Sequence, residues 1–439
     1  MKILIIAYFF PPQNSIASLR PYSWAKYWSR NGHDVTVLTV PKKKKASDSP
    51  QSYKGFKIIE VPVRVVLFLK QIFQLRNIDN SFSPNNYNSS RTQKPQRLKL
   101  SLGHIVQLLQ NRFGIFASCR MPDLSDFWSY DAYKFIKDSH WDLVVSTGGP
   151  YGVHLPAYRL KKKRLAKYWI CDWRDLWSEN HIYPGLPLVR WIERFRERRW
   201  SLLADEITTV SNPLADRLRQ QHGDKVRVIY NGFDPDDFEK LPEEPIFPRD
   251  GIVRIVYTGT IYRPHQNPAY FFKAIRLLCY QGFVQPDKLR IIFCGNNADV
   301  SHLASIHMID DFIEYAGFVP RQQALRMQRD ADFLLFLEFE SRHSIGVLTG
   351  KLFEYLYAGP PIIGIGVNED SSVGKILKDT QRGKCLGKNP YRIANELRAV
   401  LSSKSAYSLF LKQASKSSGI FEFTRENQSR IMLMNTGKI

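Results

Sequence analysis

The chain has 439 residues, of which 44% are hydrophobic, with 9 Trp, 27 Phe and a formal net charge of +22. That length exceeds what a single core organises and predicts two domains of about 200 residues each. Cys119, Cys171, Cys279, Cys294 and Cys385 lie far apart with no CxxC spacing or histidine cluster, which argues against a disulfide framework or a zinc site and fits a reducing cytosol. No apolar run approaches the ~20 residues that a bilayer span needs.

The charge is lopsided. Residues 1–200 hold 33 Lys and Arg against 14 Asp and Glu, a surplus of 19, whereas residues 201–439 hold 30 against 27. The excess gathers at 42–45, 91–99, 161–164 and 190–199. An anionic lipid surface or a lipid diphosphate is the partner this field suits, at about 1 kcal/mol per nearby cation. Nucleic acid competes for the same charge, but no helix-turn-helix, RRM or zinc-finger signature accompanies it.

In chain order, strand 2–7, helix 19–30, Gly32 and strand 34–40 make a βαβ start, which implies a doubly wound parallel sheet. Residues 76–98 are polar and read as a solvated excursion, flanked by apolar stretches at 63–73 and 98–116. A helix near 100–112 puts Ile105, Leu108 and Leu109 on one face, suited to its own core or to a membrane interface. Strand 142–146, helix 153–161, strand 167–171, a long basic helix 189–203, strand 207–210 and a helix capped by Ser211 follow. Near Lys225 the alternation restarts, with strands at 253–258, 289–294, 312–315, 333–336 and 361–365 and helices at 268–281, 320–329 and 350–357. A last helix is expected at 423–434.

Residues 344–363 read SIGVLTGKLFEYLYAGPPII: a Gly-containing loop, a short helix from Gly350 to Gly359 and a buried strand. The helix N-terminus offers unpaired N–H donors and roughly half a positive charge, so with Lys351 in its first turn it suits a diphosphate. Glu354, one turn on, can accept from sugar hydroxyls. An ordinary βαβ connection with a solvated Glu354 is the bland alternative.

This segment resembles the donor motif of the retaining glycosyltransferase family 4. Further matches run in order: KILIIAYFFPP at 2–12, LRPYSWAKYW at 19–28, GHDVTVLT at 32–39, VIYNGFD at 228–234, VYTGTIY at 256–262 and YAGFV at 315–319. The resemblance implies a GT-B fold, two Rossmann-like domains facing across a cleft. The N-terminal acceptor domain would span 1–220 and the nucleotide-sugar domain 221–419, with a closing helix at about 420–439 packed back on the first. It further implies a donor site drawn from Gly259, Arg263, Val319, Gly346, Thr349, Lys351, Leu352 and Glu354, with no cofactor and no obligatory metal. Asp234-Pro-Asp236 matches a metal-binding DxD only literally and is assigned to turn capping.

The family's first glutamate is absent, since Gly346 stands eight positions before Glu354. Its sugar-facing role is expected to pass to backbone amides, Glu338 or Glu340. On the acceptor side His154, Asp172 and Asp175 follow predicted strands and are candidates to handle the acceptor proton. Arg174 is alternatively expected to pair with a carboxylate and hold its loop. Ser18 occupies a loop where the family shows glycines, and Arg20 would lie near an anionic ligand. The resulting expectation is a cytoplasmic, peripheral-membrane glycosyltransferase. It would act with retention on a nucleotide-diphosphate sugar and a lipid-diphosphate-linked glycan in surface polysaccharide assembly. A nucleotide-sugar 2-epimerase and a non-enzymatic basic membrane- or nucleic-acid-binding scaffold are the alternatives.

Overall fold

The computed structural model describes residues 1–13, 15–41, 55–64, 107, 109–110, 112–180, 183–263, 265–295, 298–340, 346–402 and 418–438. The polar excursion at 76–98, residues 65–73, most of the helix near 100–112 (Ile105 and Leu108 included) and the basic clusters at 42–45 and 91–99 lie outside the described residues. The chain forms two compact units, Met1–Tyr230 with Ser429–Ile439, and Asn231–Gln428.

The first unit runs β1 (Lys2–Ala7), α1 (Ile16–Arg30), β2 (Asp34–Thr39), β3 (Lys57–Glu60), α2 (Leu124–Lys134), β4 (Trp141–Thr147), α3 (His154–Lys162), β5 (Ala166–Asp172), α4 (Pro187–Leu203), β6 (Glu206–Thr209), α5 (Asn212–His222) and β7 (Val226–Val228). All seven strands are parallel, in the order β3-β2-β1-β4-β5-β6-β7. Successive residues of β1 serve opposite faces of the sheet. Leu4 and Ile6 pack with Trp128 and Trp169, while Ile3 and Ile5 pack with Trp24, Trp28 and Met432. This is why β1 reads as an unbroken apolar run rather than an alternation. Helix α1 begins at residue 16 rather than 19, because Ser15 caps it by accepting from the Ser18 N–H at 3.3 Å. Ser211 stands at the N-cap of α5 but makes no capping bond, which departs from the sequence expectation. Strand β7 pairs with β6, so the unit extends to Tyr230.

The second unit runs α6 (Pro235–Glu239), β8 (Val253–Thr258), α7 (Ala269–Tyr280), β9 (Leu289–Cys294), α8 (Ala298–Ile306), β10 (Ile313–Gly317), α9 (Arg321–Arg329), β11 (Phe333–Leu337), α10 (Gly350–Ala358), β12 (Ile362–Ile365), α11 (Ser372–Thr380), β13 (Gly383–Gly387) and α12 (Pro390–Ser402). Its parallel sheet has the order β10-β9-β8-β11-β12-β13. Asp234 caps α6 by accepting from the Asp236 N–H at 3.2 Å, which accounts for the DxD pattern. The closing helix α13 (Arg425–Leu433) carries the chain back to the first unit, where Met432 is fully buried and Trp28 Nε1 donates to the Ser429 carbonyl at 3.0 Å.

Candidate functional site

In each sheet the strand order reverses direction at one point, and in open α/β sheets that point opens a crevice at the carboxyl ends of the strands. In the second unit the reversal falls between β8 and β11. Gly259, just past β8, has φ +104°, and a Cβ there would come within 3.3 Å of Lys351 Cε. Gly295, past β9, has φ +128°, and its Cβ would meet the Gly259 carbonyl oxygen at 2.5 Å. Both backbone conformations and the close approach require glycine.

Helix α10 opens into this crevice. Thr349 is its N-cap yet makes no capping bond, and its Oγ1 is buried without a partner among the described residues. Lys351 folds back over Tyr257, with Nζ 3.7 Å from the ring centroid and donating to the phenol oxygen. Burial pulls the Lys351 pKa down to about 7, against a smaller opposing pull from Glu354. Leu352 is fully buried and its N–H bonds to the Thr349 carbonyl at 3.1 Å, so it packs the first turn against the core. Arg263 is exposed, Val319 is half-buried on the loop after β10, and Gly346 has φ +74°.

Glu354 does not face solvent as a free carboxylate. Its Oε1 accepts from Arg321 Nη1 at 2.6 Å, and Gln328 Nε2 lies 3.4 Å from Oε2. The same guanidinium donates from Nη2 to Asp237 at 2.9 Å, and Arg425 approaches that aspartate at 3.5 Å. Burial pushes the Glu354 carboxyl up, but Arg321 and Arg425 outweigh it and hold the group below the ordinary glutamate range. Sequence reasoning missed Arg321, Gln328, Asp237 and Arg425. One signal was present: an arginine at the first position of a helix opposes the macrodipole and needs a carboxylate partner.

At the end of β11, burial and the neighbouring Glu340 push the Glu338 pKa up to about 7, and its buried Oε2 has no partner among the described residues. Glu340 pairs with Lys388 at 2.6 Å. Of the two acids expected to stand in for the missing glutamate, Glu338 is therefore the one whose carboxyl is uncompensated.

The first unit brings its candidates together differently. Asp172, at the end of β5, is 0% exposed and accepts from Arg20 Nη2 (2.8 Å), Arg20 Nε (3.1 Å), Thr147 Oγ1 (2.7 Å) and Thr208 Oγ1 (2.8 Å). Burial alone would raise its pKa, yet Arg20 and the two hydroxyls keep it ionised, below the ordinary value. Arg20 is 1% exposed and also bonds the Ile229 and Tyr230 carbonyls at 2.8 and 3.0 Å. Arg20 thus ties α1 to β5 and to the end of β7, an interior anchor rather than a group beside a ligand. Asp172 is its counterion. Ser18 is also fully buried, its Oγ 2.9 Å from Ser15 Oγ.

His154 is 0% exposed at the start of α3. Its Nδ1 lies 2.8 Å from Ser146 Oγ, its ring centroid is 4.2 Å from that of Trp173, and Nε2 has no partner among the described residues. Burial drives its pKa down to about 3, so the imidazole is neutral. Arg174 donates to the Gly148 and Gly149 carbonyls at 2.6 and 2.8 Å, so it holds two loops together through backbone oxygens instead of the expected carboxylate. Of the three proton-handling candidates, Asp175 alone is exposed. Among the described residues no group of three or more His, Cys, Asp or Glu side chains is placed to hold a metal ion. No described helix is long and apolar enough to cross a membrane.

Two parallel α/β units built on this strand order define the GT-B class, and solved structures agree over nearly the whole chain. The structure of WaaG, described as a glycosyltransferase involved in lipopolysaccharide biosynthesis, superposes with a TM-score of 0.57 at 12% identity, covering 99% of this chain and 100% of that one. An Escherichia coli trehalose-6-phosphate protein bound with UDP-2-fluoro glucose gives 0.61 at 12% identity, covering 100% and 99%. A UDP-GlcNAc 2-epimerase from Neisseria meningitidis bound to UDP-GlcNAc gives 0.53 at 13% identity, covering 100% of both. The fold is GT-B. In sequence, the model of Glycosyltransferase Family 4 matches residues 100–237, a stretch that holds VIYNGFD at 228–234 but not the segment at 344–363. No curated protein matches the sequence significantly.

Proposed function

We propose that the chain is a glycosyltransferase that takes a nucleotide-diphosphate sugar at the crevice between β8 and β11. It transfers the sugar, with retention, to a lipid-diphosphate-linked glycan of a surface polysaccharide. The observation that carries this reading is the start of α10, where uncapped N–H groups and Lys351 lie beside Gly259, one turn before Glu354. Those donors neutralise the diphosphate as it leaves, so the bond from the anomeric carbon to the phosphate oxygen can break without a metal. A bond then forms from the acceptor oxygen to that carbon, and the departing phosphate takes the acceptor proton. Glu354, held by Arg321, accepts from the ribose hydroxyls, Arg263 reaches the phosphates from the exposed loop after β8, and the uncompensated Glu338 faces the sugar. Asp175 orients the acceptor. The work is done in the cytoplasm, at the inner face of the cell membrane.

Proteins of the same fold bound with UDP-2-fluoro glucose and UDP-GlcNAc support the donor class. The epimerase likeness keeps nucleotide-sugar 2-epimerisation as a second reading, and a surplus of 19 positive charges in residues 1–200 weighs against it, since an epimerase needs no anionic surface. Thermal-shift screening of nucleoside diphosphates and their sugars tests the proposal. A cognate nucleotide at about 100 times its Kd adds about 2.7 kcal/mol of stability, whereas no shift with any of them would exclude it. Free 2-epimer formed without acceptor would favour the second reading.

A further inference from the structure

Helix α4 of the first unit buries both of its acids and exposes a line of apolar side chains. Its two acids, Glu193 and Glu197, point into the protein, 1% and 6% exposed. There Glu193 pairs with Arg120 at 2.6 Å and accepts from the Met121 N–H, and Glu197 accepts from the Ser178 N–H at 2.9 Å. Trp200 points inward at 2% exposed, but four large apolar side chains point out: Leu188 is 85% exposed, Trp191 67%, Phe195 57% and Leu202 62%. Positions 188, 191, 195 and 202 recur at three-, four- and seven-residue steps and so form one line along the helix. On an ideal helix the exposed Arg194 and Arg198 fall on one side of that line and the exposed Arg199 on the other.

Among the described residues no ion pair engages Arg194, Arg198 or Arg199, and both acids of α4 are consumed inside. Neighbouring α3 extends the pattern. The Arg199 guanidinium lies 5.7 Å from the Phe195 ring and 5.4 Å from that of Tyr158. A continuous apolar line flanked by guanidinium groups matches an interface whose interior is hydrocarbon and whose surface is negative. A nucleic acid would match the charge but would leave Leu188 and Leu202 in water.

We infer that the outer face of α4 is a docking surface for an anionic lipid bilayer, with Trp191 and Phe195 entering the acyl boundary and Arg194, Arg198 and Arg199 meeting phosphate headgroups. This rests on the proposed function only in naming where that reaction meets its membrane.

The test is co-sedimentation of the full chain with phosphatidylcholine vesicles and with vesicles that also contain phosphatidylglycerol. The parent chain should favour the anionic vesicles by about tenfold or more. Trp191→Ser with Phe195→Ser, and separately Arg194→Gln with Arg198→Gln, should each lower that partition by about tenfold. These side chains are exposed, so both variants should keep the parent unfolding midpoint and the parent nucleotide-induced thermal shift. Failure of the vesicle assay with an intact nucleotide shift overturns this surface and leaves the function standing; the opposite pattern does the reverse. Equal partition to both vesicle types, variants that bind like the parent, or displacement from the vesicles by excess RNA would overturn the docking surface.

Discussion

Arg20 and Asp172 meet in a bidentate ion pair, 2.8 and 3.1 Å, closed from water between α1 and β5. Two threonine hydroxyls complete the carboxylate's shell, and two carbonyls complete the guanidinium's. Removing either partner leaves a buried, uncompensated charge, which typically costs about 3–5 kcal/mol. Asp172→Asn and Arg20→Met should therefore lower the free energy of urea unfolding by about that much. Asp175→Asn, at an exposed position, should stay within about 0.5 kcal/mol of the parent while slowing transfer. Parent-like stability in Asp172→Asn, combined with lost turnover, would return the chemistry to Asp172.

His154 makes the first unit acid-sensitive. Its pKa is about 3 in the folded chain against 6.5 for an ordinary histidine, so between those values the unfolded chain binds a proton that the native one does not. Stability from this group is complete above pH 6.5 and falls as pH drops, by about 2 kcal/mol at pH 5. Unfolding of His154→Gln compared with the parent at pH 7 and pH 5 isolates that share. The variant should lose about 2 kcal/mol less than the parent over the interval; an identical loss would mean that the imidazole is not buried as a neutral group.

Gly148 has no Cβ because His154 occupies the space. A methyl there would fall 2.6 Å from His154 Nε2 and 3.0 Å from the Tyr151 ring. Gly148→Ala should cost about 1–3 kcal/mol in thermal unfolding, and His154→Ala in the same chain should recover part of it. A double variant no better than the sum of its singles would place the clash elsewhere.

The alternation of strand and helix was legible because the strands of two parallel sheets are buried on both faces and read as short apolar runs. The juxtaposition of Gly259, Lys351 and the start of α10 was legible too, since glycines, a helix start and a lysine are local signals. Several short elements escaped, among them β3, β7 and β13 at the sheet edges, whose residues are mixed in polarity. The charges escaped for another reason. Whether Asp172 abstracts a proton or neutralises Arg20 depends on a contact across 152 residues of sequence, which a strand-then-carboxylate pattern cannot reveal. Arg321 was passed over for the same reason, its partners Asp237 and Glu354 lying 84 and 33 residues away.

Arg321 gives Glu354 its charge and its position. Arg321→Met should destabilise by about 2–4 kcal/mol and weaken nucleoside-diphosphate binding together with it. Glu354→Gln keeps the Arg321 bond to Asp237 and should weaken the nucleoside diphosphate by about tenfold while leaving inorganic pyrophosphate unchanged. Calorimetric titration separates the two ligands. Equal losses for both would remove Glu354 from the ribose.

A diphosphate seated at the start of α10 would lie against Lys351. The lysine's pKa of about 7 in the free chain should rise when a diphosphate arrives, so affinity is greatest below pH 7 and falls as pH climbs toward the value in the complex. The decisive measurement is calorimetric titration of the best-stabilising nucleoside diphosphate at pH 7.5 and pH 9, on the parent chain and on Lys351→Met. The parent should bind about tenfold more weakly at pH 9 with net proton uptake, and the variant should bind weakly at both values with no pH dependence. Parent affinity that ignores pH, together with a variant that binds as tightly as the parent, would contradict that seating.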